Sequence, residues 1–122
     1  MIGRRTWAFP GGHIPASSTG PEPEYTSRDE LCVLNTADQE AHLELTVFHT
    51  DGEPVSPYRL TVGARRVRHV RINDLVDPQA VFLAAPYGLA VQSDVPVVVR
   101  RPRRDSRRGG LWTAIAPGFA EP

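Results

Sequence analysis

Residues 41–50, AHLELTVFHT, decide the fold class. Ala41, Leu43, Leu45 and Val47 alternate with His42, Glu44 and Thr46. An extended chain therefore collects the aliphatic set on one face and the polar set on the other, with Phe48 the one apolar residue on the polar side. This is the pattern of an antiparallel strand with one face buried and one wet. Asp51-Gly52 supplies turn chemistry, and SPYRLTV over 56–62 reads as the return strand. Upstream, residues 31–35 form a first strand, LCVLN, closed by the turn-like TADQE. Downstream, strands are predicted at 81–83, 89–92, 97–101 and 111–116, separated by APYG, SDVP and RRDSRRGG.

Twelve prolines and ten glycines punctuate the chain, and no segment sustains a helical apolar period. Short, evenly spaced strands point to an all-β fold, and an antiparallel β-sandwich is preferred to a small barrel. The 122 residues fit a single domain, 1–122, of a size that buries roughly two-thirds of its unfolded surface. Residues 10–24 are too rich in Pro, Gly and Ser for a core strand and are predicted to be a loop or arm. With one cysteine, no internal disulfide forms, and Cys32 reads as a small buried hydrophobe in a reducing compartment. No apolar run is long enough to span a membrane, and no signal-peptide core follows the N-terminal arginines, so a soluble, cytoplasmic protein is expected.

The net charge is zero, yet the halves differ. Three arginines face nine acids through Tyr58, whereas eleven arginines face five acids from Arg59 onward, and the chain has no lysine. This polarity favours self-association or an anionic partner for the second half. The densest basic stretch is residues 63–75, GARRVRHVRINDL. Val67 alternates with Arg66 and Arg68, but Val70 and Ile72 fall on the parity of those arginines. A β-bulge near Arg68-His69 would restore an inward aliphatic row and turn Arg66, His69, Arg71 and Asn73 outward as one polar cluster. The competing reading is a solvated edge strand whose arginines prevent aggregation.

Planar arginine forks beside an amide and a carboxylate suit a hydroxyl-rich or anionic small ligand. The ligand-binding candidates are Arg66, His69, Arg71, Asn73 and Asp74, with Trp7 as a stacking surface and Trp112 as another; core or interface is the preferred reading of each tryptophan. A second reading is DNA, with Arg68, Arg101, Arg103, Arg104, Arg107 and Arg108 on phosphates, although the chain is not basic overall and lacks interleaved aromatics. No metal site, cofactor or catalysis is expected. His42, Glu44 and His49 lack the partners to complete a zinc sphere, no nucleophile elbow is present, and Gly11-Gly12 precedes no phosphate-loop lysine.

Several long motifs occur in one order: RRTWAFPGGHIP, GPEPEYTS, SRDELCVLN, AHLELTVF, SPYRLTVGARRVRHVRINDL and QSDVPVVVRRPRRDSR. Together they resemble the sensory rhodopsin transducer family over nearly the whole chain. The matching positions are Trp7, Gly12, Pro15, Asn35, Arg65, Arg66, His69, Arg71, Asn73, Asp74, Gln92, Ser93, Asp105, Ser106 and Arg107. The resemblance implies a β-sandwich similar to carbohydrate-binding domains, a homotetramer, and a cytoplasmic signalling role without catalysis. It also implies a microbial sensory rhodopsin as partner, a cleft for a small polar ligand, and a link to transcription through DNA. Two departures stand out: Gly11 and His13 where an acid and an aromatic are expected, and Pro102 within a more basic RRPRRDSR.

Overall fold

The computed structural model describes residues 2–13, 28–81, 85–105, 112–115 and 119–121. The described residues form nine strands and one 3-10 turn. In chain order these are β1 (Arg4–His13), β2 (Arg28–Asn35), β3 (Ala41–His49), β4 (Val55–Val62), β5 (Arg66–Arg71), the turn Ile72–Asp74, β6 (Pro86–Arg100), β7 (Pro102–Asp105), β8 (Trp112–Ile115) and β9 (Phe119–Glu121). All pairings are antiparallel. The all-β expectation therefore holds, in the form of one curled antiparallel sheet. Its main path runs β4-β3-β6-β2-β7-β8, while β1 pairs with β6 and β9, and β5 pairs with β2.

The long strand β6 makes the curl. Its first half lies between β3 and β1, and its last residues, Val98, Val99 and Arg100, pair with β2. The sequence predicts two strands separated by a turn at SDVP, but the backbone stays extended through residues 93–96. The register against β1 jumps here, with Thr6 opposite Gln92 and Arg4 opposite Val97. The polar residues hold this bulge: the Ser93 hydroxyl accepts from Val95 N–H at 3.3 Å, and Asp94 accepts from His42 N–H at 2.8 Å. Side chains satisfy backbone donors that the ladder leaves open, so the strand continues without ending.

β3 behaves as its alternation requires. Ala41, Leu43, Leu45 and Val47 are buried, and the polar set faces out. They pack with Tyr58, Leu60 and Val62 of β4, Leu89 and Val91 of β6, Phe9 of β1, and Leu31 and Val33 of β2 in one core. Each fully buried side chain of this size stabilises by about 1.5–3 kcal/mol.

Two other expectations are corrected. The loop predicted over 10–24 begins too early, because β1 continues through Pro10, Gly11, Gly12 and His13; residues 14–24 lie outside the described residues. The strand is possible because Gly12 presents no Cβ, which would lie 2.4 Å from Cζ of the Tyr87 ring. A strand at 81–83 is not formed at Val81, which is buried in irregular chain, and 82–83 lie outside the described residues.

Among the described residues the largest fully buried side chain is charged. Arg101 Nη1 donates to Asp29 Oδ2 at 2.9 Å, and both side chains are 0% exposed. Tyr87 Oη donates to the same oxygen at 2.6 Å, and Arg101 Nη2 donates to the Gly11 carbonyl. The guanidinium also lies 5.9 Å from the Phe9 ring centroid and 5.8 Å from that of Tyr87. Burial, reinforced by the Asp29 carboxylate, pushes the Tyr87 phenol far above its ordinary value, so its proton stays in place. This polar cluster ties β1, β2 and β6 to the residue that leads into β7.

Candidate functional site

The arginine stretch takes a different shape from the bulged strand predicted for it. β5 pairs with β2 without a register shift, from Asn35 opposite Arg66 to Glu30 opposite Arg71. Directly opposed residues share a face. Arg66, Arg68 and Val70 therefore lie on the side of buried Asn35, Val33 and Leu31, while Val67, His69 and Arg71 lie on the side of Leu34, Cys32 and Glu30. The predicted cluster is split, with Arg66 on one face and His69 and Arg71 on the other. The reason is energetic: an unbroken six-residue ladder outweighs turning Val67 inward, and Val67 stays 59% exposed.

Arg66 and Arg68 stay exposed and find partners at the sheet margin. Arg68 Nη1 donates to the Thr61 carbonyl of β4 at 2.8 Å, and Arg66 Nη1 donates to the Arg65 carbonyl at 3.2 Å. Arg65, in the left-handed conformation at φ 55°, donates through Nε to Asp38 at 2.7 Å, and its N–H donates to the Ala37 carbonyl. Asn35 anchors both turns from below. Its Nδ2 donates to the carbonyls of Gln39, Val62 and Gly63 at 2.9, 3.2 and 3.1 Å, and its Oδ1 accepts from Ala37 N–H.

The outward residues build the candidate site. Cys32, Leu34, Val67, His69, Val98, Arg100 and Pro102 line a groove of about 390 Å³ on the β5–β2–β6 face. Register sets its rows: Leu34 lies between Val67 and Val98, and Cys32 lies between His69 and Arg100. Glu30 and Arg71 form the next row. The groove thus has an apolar end and a cationic end, suited to a ligand with one greasy and one anionic part.

The other candidate residues are dispersed. Arg71 Nε donates to Asp74 Oδ2 at 3.0 Å across the 3-10 turn, so that carboxylate is taken up by the protein itself. Asn73 Oδ1 is buried without a partner among the described residues. Trp7 stacks on Phe9 and donates from its indole to the Val97 and Arg4 carbonyls, each at 3.1 Å, which packs it against the core and away from the groove. Of the candidate phosphate contacts, Arg101 is enclosed in the core ion pair, where no phosphate reaches it. Arg68 is exposed, β7 carries Arg103 and Arg104, and Arg107 and Arg108 lie outside the described residues. Sequence reasoning missed Leu34, Val98 and Arg100, for which only strand pairing carries a signal.

The outward side of β3 has the opposite charge. His42 Nδ1 lies 2.8 Å from Asp94 Oδ2, and its Nε2 lies 3.0 Å from Glu40 Oε1. Glu44 continues the row, with Arg59 Nε at 4.0 Å. The Asp94 hydrogen bond, helped by Glu40, raises the His42 pKa, while acceptance of the His42 backbone N–H chiefly lowers that of Asp94. The His42 contribution is present at low pH and fades as pH rises through the raised value; the Asp94 contribution fades as pH falls through the lowered one. The pair is thus strongest in mildly acidic solution. An NMR titration is expected to place the His42 midpoint above that of a free imidazole and to bring it down in Asp94→Asn; a midpoint that does not move would refute the coupling.

Among the described residues no helix is long and apolar enough to cross a membrane. No curated protein sequence matches the chain. A family model described as Anabaena sensory rhodopsin transducer matches residues 2–118. The solved structure of Anabaena sensory rhodopsin transducer is similar at 47% identity, covering 82% of this chain and 94% of its own, with a TM-score of 0.74. A crystal structure of Thermotoga maritima 1070 is similar at 29% identity, covering 99% of this chain and 97% of its own, with a TM-score of 0.83. The motifs quoted from the sequence, the curled antiparallel sheet and the match over 2–118 agree, and the chain belongs to the sensory rhodopsin transducer family.

Proposed function

We propose that this protein is a non-enzymatic signal transducer that works by binding, with a sensory rhodopsin's cytoplasmic face on one side and a small anionic or polar ligand on the other. Family membership supports the rhodopsin partner. The observation that carries the division of labour is the sorting of charge onto two outward faces. Glu40, Glu44 and Asp94 stand with His42 and Arg59 on the β3 side, while His69 and Arg100 line the groove on the β5–β2–β6 side, with the Glu30–Arg71 row beside it. Cytoplasmic loops of membrane proteins are enriched in Lys and Arg, so the acidic β3 face complements them. The arginine groove is left for the ligand. A homotetramer would present several copies of each face to one membrane.

The test is retention of the full chain by nanodiscs carrying a microbial sensory rhodopsin, against empty discs. Retention specific to the rhodopsin is expected, weakened about tenfold in Glu40→Lys/Glu44→Lys, the effect of about 1.4 kcal/mol. Equal retention by empty discs, or indifference to the charge reversal, would count against this reading. DNA remains the alternative partner. No described arginine cluster favours it, and its sign would be affinity that falls steeply with salt.

A further inference from the structure

We propose that Glu30, Cys32 and His69 form a binding site for a divalent transition metal, best matched by Zn²⁺, on the outer face of β2 and β5. Glu30 and Cys32 are two residues apart on β2 and so face the same way, and His69 stands directly opposite Cys32 on β5. The carboxylate oxygen, thiol sulfur and imidazole nitrogen all lie within 4.8 Å of one another. In a tetrahedral zinc sphere, with Zn–S near 2.3 Å and Zn–N and Zn–O near 2.0–2.2 Å, donor atoms are roughly 3.3–3.8 Å apart. Donor atoms already this close can be drawn into such a sphere by side-chain rotation. His69 is exposed and the other two are partly exposed, so an ion has a path in.

The donor set selects the ion. A thiolate excludes the hard cations Mg²⁺ and Ca²⁺, while one sulfur, one nitrogen and one oxygen match borderline Zn²⁺ and its spectroscopic substitute Co²⁺. Charge balance also fits, because a thiolate and a carboxylate neutralise a divalent ion, leaving Arg71 beside Glu30 and Arg100 beside Cys32 next to a neutral centre. Three protein ligands leave a fourth position, open toward the groove that Arg100 lines, which suits water or an anionic group. Uptake of the ion requires neither the rhodopsin nor the groove's ligand, so the site stands or falls separately from the binding roles above.

The probe is Co²⁺ titrated into the full reduced chain, followed by absorbance and then by Zn²⁺ displacement. One equivalent is expected to bind with intense tetrahedral d–d bands and a thiolate-to-cobalt charge-transfer band, both removed by Zn²⁺. Cys32→Ser should abolish the charge-transfer band. His69→Ala and Glu30→Gln should each weaken binding roughly tenfold or more, and His42→Ala, on the other outward face, should leave it unchanged. Circular dichroism melts establish that each variant is folded. Absence of the charge-transfer band in the parent chain, or undiminished affinity in His69→Ala, would overturn the site.

Discussion

Arg101→Met is expected to destabilise the fold by about 3–5 kcal/mol, because it leaves the Asp29 carboxylate buried without its countercharge. The hydroxyl of Tyr87 still donates to that oxygen, but a neutral donor does not replace the countercharge of a desolvated carboxylate. Asp29→Asn should cost a similar amount by stranding the guanidinium. Its contact with the Gly11 carbonyl and the Phe9 and Tyr87 rings cannot replace the ion pair. The double variant Arg101→Met/Asp29→Asn should recover much of the loss, since replacing both charges of a buried pair is often near neutral. Urea unfolding at constant m-value measures all three. If the single changes cost less than about 1 kcal/mol, or the double equals their sum, the pair is not coupled as its geometry requires.

Asn35→Asp is expected to be the next most damaging change despite being nearly isosteric. The two N–H bonds of the Nδ2 amide are shared among three carbonyls, one at the end of β4, one just beyond it and one in the turn before β3. A carboxylate has no proton for any of them and would point a buried negative charge at three oxygens. Each buried polar group left unsatisfied costs about 1–3 kcal/mol, so a loss of at least about 3 kcal/mol is expected. This corresponds to roughly 10–15 °C in Tm for a chain of this length. Because the same side chain fixes the turn that leads into β5, the amide signals of Arg65 and Arg66 should move most in an NMR comparison. A loss below about 1 kcal/mol, with those signals in place, would show that the turns hold without Asn35.

These two residues also show where sequence reading reaches its limit. Asn35 stands out as a polar residue closing an aliphatic strand, and its place in a family motif is visible in the sequence. Its three acceptors are not, because they lie 4, 27 and 28 positions away. Arg101 is harder still: inside RRPRRDSRR it has the composition of a solvated basic run, and its carboxylate partner is 72 positions distant. Charged residues are almost never fully buried unless paired, and pairing at that range has no local signature.

The arginine stretch is a parallel case. Its parity break is real in the sequence, and a bulge is one way to resolve it. The chain resolves it by letting Val67 face water in an unbroken ladder with β2, at the far end of a row that Leu34 and Val98 complete. A bulge removes pairing, and β2 offers a partner for every residue from Arg66 to Arg71. That preference belongs to two strands together and cannot be read from either.

What the sequence alone determined is the class of structure and the family. The strict alternation of residues 41–49, the Pro and Gly punctuation, and a string of unusual motifs in order suffice, because side-chain parity and turn chemistry act between near neighbours. The tertiary structure alone decided which outward faces exist and what shares them. It put His69 across from Cys32 and Arg100 beside them, sent Arg66 to the opposite face, and drew Arg101 into the core. Those outcomes depend on register between strands remote in the chain, which the summed free energy of the whole ladder and core sets, and no single segment encodes it.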